Sequence, residues 1–135
     1  MNNSSVLDSS AILSLYLIED SNHEQAIKAS HNLETDSYSL ILPGEVISEV
    51  LNFMGKKFLR SDQIKIGNYL LDSEEFIIIE TDDIIRSNAF SKLQNTAQSV
   101  SYTDCIVMAV ADHFNTKTIF GFNHAFVTNG YTLAI

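Results

Sequence analysis

Asp8, Glu49 and Asp104 lie far apart in the chain, and each stands where a carboxylate is conspicuous. Asp8 directly follows the strand-like Val6-Leu7 and precedes Ser9-Ser10. Glu49 sits in the middle of a helical pattern with Glu45 one turn earlier. That like-charged pair shares one helix face and costs roughly a few tenths of a kcal/mol, with no lysine between to relieve it. Asp104 falls in the first turn of an otherwise apolar helix. A carboxylate there suits the helix dipole, but once buried it needs a partner or a cation. Asn123 follows an apolar strand and a glycine, and would add a neutral oxygen or hold a water. Oxygen donors of this kind suit hard divalent ions, and Mg²⁺ takes few carboxylates while keeping several waters. Gathered together, the acids would repel one another and at least one would titrate high. A bound cation removes that tension, activates water and stabilises charge on a leaving oxygen, so no histidine, cysteine or serine nucleophile is needed. Each residue also has a structural account: Asp8 as a helix cap, Glu45 and Glu49 as solvated acids, Asn123 as a turn residue.

The elements that must position these residues alternate in type. Residues 4–7 read as a buried strand ending at Asp8, with Ser9-Ser10 capping a helix filled by Ile12, Leu13, Leu15, Tyr16 and Leu17. A second helix opens at Ser21-Asn22 and runs from 23 to about 33, with Ala26, Ile27, Ser30 and Leu33 on one face. Residues 39–42 form a strand stopped at Pro43, followed by a helix to about 58 with Val46, Val50, Phe53 and Met54 at helical spacing. A short helix spans 62–71. Phe76-Ile77-Ile78-Ile79 has the uninterrupted apolar character of a strand buried on both faces. Helices over 82–94 and 102–114, a strand over 118–120 and an edge strand over 131–134 complete the pattern. Strands alternating with helices imply a single α/β domain, a central, mostly parallel sheet with helices on both faces. In such sheets the site lies beyond the carboxyl ends of the strands.

With 135 residues the chain fits one domain. The single cysteine, Cys105, allows no internal disulfide and reads as a small buried hydrophobe. No stretch reads as a signal peptide or bilayer span, and the expected location is cytoplasmic with no membrane partner. Seventeen acidic residues against eight basic ones give a net charge of −9, which opposes nonspecific binding of nucleic acid. A polyanion would need bound cations or a local basic patch. Lys56, Lys57, Arg60 and Lys65 form such a cluster, read either as a solvated helix end or as a phosphate-contacting rim. The four histidines show no ligand spacing. His23, His31 and His113 read as ordinary helix residues, whereas His124, beside Asn123, is a candidate phosphate contact along with Ser9, Lys56, Lys57 and Arg60. Phe120, Phe122 and Phe126 surround a strand end and read as core.

Four motifs in order carry a resemblance: strand-Asp8, then strand-Pro43 with Glu49-Val50-Leu51-Asn52, then Ser101-x-x-Asp104-Cys105 with Ala109 and Ala111, then Phe122-Asn123-x-x-Phe126 with Gly130. This pattern resembles the PIN domain, over nearly the whole chain from position 6 to 130, and the length resembles VapC-type toxin ribonucleases. The resemblance implies a three-layer α/β/α fold and a metal-dependent ribonuclease acting on RNA with Mg²⁺ or Mn²⁺. Asp8, Glu49 and Asp104 match family acids, and Asn123 falls where many members carry a further aspartate. Gly121 replaces the hydroxyl residue that usually opens the last motif. Both departures lower metal capacity and predict weaker binding of a second ion. If the toxin likeness holds, a small antitoxin protein is expected to block the acidic pocket with an arginine. Family members often form a homodimer through helices, and Leu70-Leu71 or Phe58-Leu59 are available for it. The competing reading is a PIN-like domain that has lost catalysis and serves in binding or assembly. Receiver and haloacid-dehalogenase-type chemistry is excluded: Pro43 follows the second strand, Glu80-Thr81 the third, and Asp8 lacks an acid partner two residues on.

Overall fold

A computed structural model describes residues 3–135. Five parallel strands form one sheet in the order β3-β2-β1-β4-β5. They are β1 (Ser4–Leu7), β2 (Ser39–Pro43), β3 (Phe76–Ile79), β4 (Thr118–Phe120) and β5 (Thr132–Leu133). Between them run α1 (Ser9–Tyr16), α2 (His23–Thr35), α3 (Gly44–Lys57), α4 (Arg60–Asp72), α5 (Asp83–Asn95), α6 (Tyr102–His113) and α7 (Ala125–Thr128). β1 is central, pairing Val6 with Ile41 of β2 and with Ile119 of β4. The first two crossovers step outward to β2 and β3, and the third returns across β1 to β4. Right-handed connections then place α1–α4 on one face and α5 and α6 on the other. The order reverses between β1 and β4, and the carboxyl ends at such a reversal are where sheets of this kind bind ligands.

The core explains why these segments settle as they do. Val6, Leu7, Ile41, Leu42, Ile119 and Phe120 are all fully buried, so the three inner strands are covered on both faces. From Asp104 to Ala111 every residue of α6 is buried, and the helix packs against α5 and the inner strands. Cys105 lies in that stretch as a small hydrophobe with no exposed surface, and burial pushes its thiol pKa up. α3 and α4 are clamped together: Gln63 Nε2 donates to the Leu51 carbonyl at 2.8 Å, and any Cβ on Gly55 would meet that Nε2 at 2.6 Å. Among the described residues no helix is long and apolar enough to cross a membrane.

Several expectations need correction. β3 is an edge strand, bonded only to β2. Ile77 and Ile78 are exposed and only Phe76 is buried, its ring meeting Tyr69 edge-on at 5.5 Å. A β-branched run reads alike in edge and central strands, and here sheet order decides. α1 is capped by Asp8, whose carboxylate accepts from Ser10 N, in place of the serine pair. The buried face of α2 uses Ala26, Ala29 and Leu33, leaving Ile27 exposed. In α3 the inward positions are Val46, Ile47, Val50 and Met54, and Phe53 faces out. Of the apolar pairs considered for dimerisation, Leu70 belongs to the core while Leu71, Phe58 and Leu59 are exposed. The short α7 was not foreseen. It ends at Thr128 with Asn129 as its cap, and Gly130 follows with a φ of +97° that suits glycine.

Candidate metal centre

Asp8 stands at the end of the central strand, 4% exposed. Its backbone N–H still belongs to the sheet, donating to Phe120 O at 2.9 Å. One carboxylate oxygen is fixed: Ser10 Oγ donates to Oδ2 at 2.7 Å. The same hydroxyl accepts from Phe122 N at 3.0 Å, which ties the first turn of α1 to the segment after β4. The other oxygen, Oδ1, is buried with no hydrogen-bond partner. Such a group is costly unless something cationic meets it. Burial pushes the Asp8 pKa up to about 6; the Ser10 hydrogen bonds oppose the rise, and the charges of Asp104 and Glu49 add to it.

Asp104 is delivered by the first turn of α6. Ser101 and Asp104 form a reciprocal capping box, with Ser101 N donating to Oδ2 and Asp104 N to Ser101 Oγ, both at 3.0 Å. Asn123 adds a longer contact, Nδ2 to the same Oδ2 at 3.4 Å. Its own Oδ1 accepts from Ala125 N at 3.0 Å. Asn123 therefore meets the site through its amide nitrogen, and the neutral oxygen expected of it is engaged in starting α7. An aspartate at this position would set a second negative charge against Asp104, whereas the amide donates.

Glu49 comes from the middle of α3 and accepts a hydrogen bond from Ser9 Oγ. Ser9, anticipated as a substrate contact, thus holds a carboxylate. Glu45 lies one turn earlier with its Oε1 buried and unpartnered, so the pair is not simply two solvated acids. Both glutamates border a cleft of about 460 Å³, shared with Ser48 and Thr103. Lys56 lines the same cleft; Lys57 and Arg60 are exposed on the adjoining segment and do not. His124 is exposed before α7 and does not line the cleft either.

The sequence marks Gly121 only as the place of a missing hydroxyl, and it passes over Ser10 as a site-forming residue. A Cβ on Gly121 would lie 2.9 Å from Asp8 Cβ and 3.2 Å from Ser10 Oγ. A side chain at 121 would therefore crowd both Asp8 and the Ser10 hydroxyl that holds it. The signal available was Gly121 directly after an apolar strand, where close backbone approach is one use of glycine.

Among the described residues no three His, Cys, Asp or Glu side chains stand close enough to close around an ion by themselves. The site is not a preformed all-protein cage. A buried orphan oxygen on Asp8, with Asp104 and Glu49 near enough to raise its pKa, fits a hard cation held by one or two carboxylates with water completing its shell.

Comparison with known proteins agrees with this fold. The model of the PIN domain family matches residues 5–129. The chain belongs to the PIN domain family. Its fold is similar to the crystal structure of Mycobacterium tuberculosis VapC20, described as a sarcin-ricin loop cleaving toxin, with a TM-score of 0.81. The two are 14% identical, and the likeness covers 94% of this chain and 95% of that one. No curated protein matches the chain by sequence. At that identity the VapC20 likeness speaks for the PIN fold alone.

Proposed function

We propose that this PIN domain is a metal-dependent endoribonuclease that hydrolyses phosphodiester bonds in single-stranded RNA, using Mg²⁺ or Mn²⁺. The observation that carries the reading is Asp8 Oδ1, buried and unpartnered at the sheet's reversal point beside two more carboxylates. Asp8 and Asp104 would hold the ion directly and Glu49 through water, with Asn123 orienting Asp104 through its amide. The ion would lower the pKa of water and offset charge on the phosphodiester. The chain supplies the rest. Ser10 fixes Asp8 so that Oδ1 alone remains free. Ser9 holds Glu49 at the cleft wall, where its carboxylate can take a proton from attacking water. The capping box stops Asp104 from rotating away. Lys57, Arg60 and His124 stand outside the cleft and would act, if at all, on more distant phosphates.

The fold likeness to a toxin supports a further step: this chain acts in the cytoplasm as the toxin of a toxin–antitoxin pair. Its partner, encoded nearby, would close the acidic cleft with an arginine. Asn123, with its oxygen turned to Ala125, favours one ion over two. It also keeps alive a second reading, a PIN domain that binds RNA or protein without cutting.

Cleavage of single-stranded RNA by purified protein decides between them. Activity should require Mg²⁺ or Mn²⁺, stop with EDTA and vanish in Asp8→Asn and Asp104→Asn proteins that still fold. Cleavage that survives both substitutions comes from a contaminant, and an intact RNA under all conditions selects the non-cutting reading.

A further inference from the structure

The cleft beside Glu49 continues along α3 away from the acids, past Asn52 and Phe53 to Lys56. Positions 45, 49, 53 and 56 recur at helical spacing on one face. The helical rise puts Phe53 about 6 Å and Lys56 about 10 Å beyond Glu49. The cleft is thus acidic at the catalytic end, aromatic in the middle and cationic at the far end.

Phe53 is not there to fill the core. It is 37% exposed, while Val50 and Met54 on the same helix are fully buried and do that work. A single exposed apolar side chain is ordinary, but this one lines a polar cleft next to a carboxylate centre. Lys56 has a simpler account too, since a lysine in the last turn suits the helix dipole. Lys57 meets that need equally well without lining the cleft. Among the described residues Lys56, Lys57, Arg60 and Lys65 have no salt-bridge partner, whereas Arg86 and Lys92 do. In a chain of net charge −9, Lys56 is the unpaired cation that lines this cleft, and it suits a polyanion leaving the acidic end.

We infer that this cleft seats the nucleotide next to the scissile phosphate, its base stacked on the Phe53 ring and its outer phosphate on Lys56. The inference rests on the nuclease reading. Stacking on an aromatic face tolerates any base, and unstacked single strands can offer one while a duplex cannot. The cleft therefore selects for single-stranded RNA, and the sequence preference it confers is shallow.

The test uses full-length protein carrying Asp104→Asn, so that RNA stays intact, and a fluorescently labelled single-stranded RNA oligonucleotide read by anisotropy. Phe53→Ala and Phe53→Leu should each weaken binding roughly tenfold, and Phe53→Tyr should bind like the parent. Lys56→Gln should lower the slope of log affinity against log salt by about 0.7. In the catalytically intact protein, Phe53→Ala should raise KM far more than it lowers kcat. If Phe53→Leu restores binding, the ring serves only as packing and the inference is overturned. If every variant binds RNA like the parent while the protein with Asp104 intact cleaves it, the cleft belongs to some other ligand and the nuclease reading stands. If the intact protein neither binds nor cleaves RNA, both fall together. Thermal melts of each variant separate unfolding from loss of contact.

Discussion

α6 carries an aspartate near each end, and the two serve different ends of the molecule. Asp104 lies in the first turn of the helix with its charge acting on Asp8, and no cation is near enough to pair with it among the described residues. Asp112, near the other end, is fully satisfied. Lys92 Nζ lies 2.8 Å from Oδ2, Asn88 Nδ2 donates to the same oxygen at 3.1 Å, and Tyr131 OH donates to Oδ1 at 2.7 Å. Burial alone would raise the Asp112 pKa, but those hydrogen bonds and the Lys92 charge hold it below its ordinary value. For Asp8 burial wins and the pKa rises to about 6. One region spends its polar groups on joining α5, α6 and the approach to β5. The other leaves them unfinished, as a site awaiting a ligand does.

The sharpest way to break this contrast is to exchange the effects. Asp8→Asn should cut RNA cleavage by more than about a hundredfold, since even outer-shell partners of a metal are worth 10–100-fold. Stability of the metal-free protein near pH 7 should rise, because asparagine caps α1 as well and removes a buried charge. Asp112→Asn should do the reverse: cleavage unchanged, stability lower by about 1–3 kcal/mol as Lys92 loses its charged partner and the amide nitrogen replaces one of the two acceptor oxygens. Cleavage assays and urea melts on the same preparations check both, and an Asp112 variant that is stable but inactive would erase the distinction.

The two regions should also respond to pH with opposite sign. Asp8 has a folded pKa raised from 3.8 to about 6. Its contribution is fully present below the unfolded value and is lost as pH rises through about 6, so metal-free protein weakens over that interval. The full shift corresponds to about 3 kcal/mol at most. Asp112 has a lowered folded pKa. Its contribution is present above the unfolded value and is lost as pH falls through the folded one. Melts from pH 4 to 8 should show the Asp8 slope disappear in Asp8→Asn and shrink when Mn²⁺ is added. A slope that persists in Asp8→Asn belongs to another group.

How far these properties could be read from sequence follows from the same contrast. The strand and helix settings of Asp8 and Asp104 are legible because each carboxylate borders an apolar run, as Asp104 does before Cys105-Ile106-Val107, whereas Glu49 stands out only by its place in Ser48-Glu49-Val50-Leu51-Asn52-Phe53. Alternation of strands and helices sufficed for the parallel sheet, and the carboxyl-end rule directs attention to Asp8 at the end of β1. What escaped were properties of pairing across the chain. Nothing local in Phe76 to Ile79 tells an edge strand from an inner one. The Ser10–Phe122 bond joins positions 112 apart, and the Asp112 network draws on Asn88, Lys92 and Tyr131, which share no motif. Phe53 was assigned inward because helical spacing fixes a face only to within the width of its neighbours, Val50 and Met54.

A smaller effect is expected where backbone meets the site. Gly121→Ala would drive a methyl against Asp8 Cβ at 2.9 Å, and the neighbour is a fixed carboxylate with little room to yield. The expected cost is about 1–3 kcal/mol with a partial loss of cleavage. Ser10→Ala keeps the space but drops the clamp on Asp8 Oδ2, and Mn²⁺ affinity by calorimetry should fall by about tenfold. Combined with Ser10→Gly, Gly121→Ser should recover part of the loss, because the hydroxyl returns to the same pocket from the other side. If the double variant is no better than Gly121→Ala, the two positions do not share that space.

The least disruptive substitution probes the residue that sets this chain apart. Asn123→Asp exchanges an amide that donates to Asp104 for a carboxylate 3.4 Å from Oδ2. The acceptor for Ala125 N is retained, so α7 should still form. Without metal the new charge adds to the repulsion already acting on Asp8, and stability near pH 7 should fall by up to about 1 kcal/mol. With Mn²⁺ present the sign reverses: the extra oxygen should tighten binding severalfold, and calorimetry should show whether a second ion enters. A variant that loses stability and gains no affinity would mean that Asn123 serves only to hold Asp104, and that one ion is all this site was built to take.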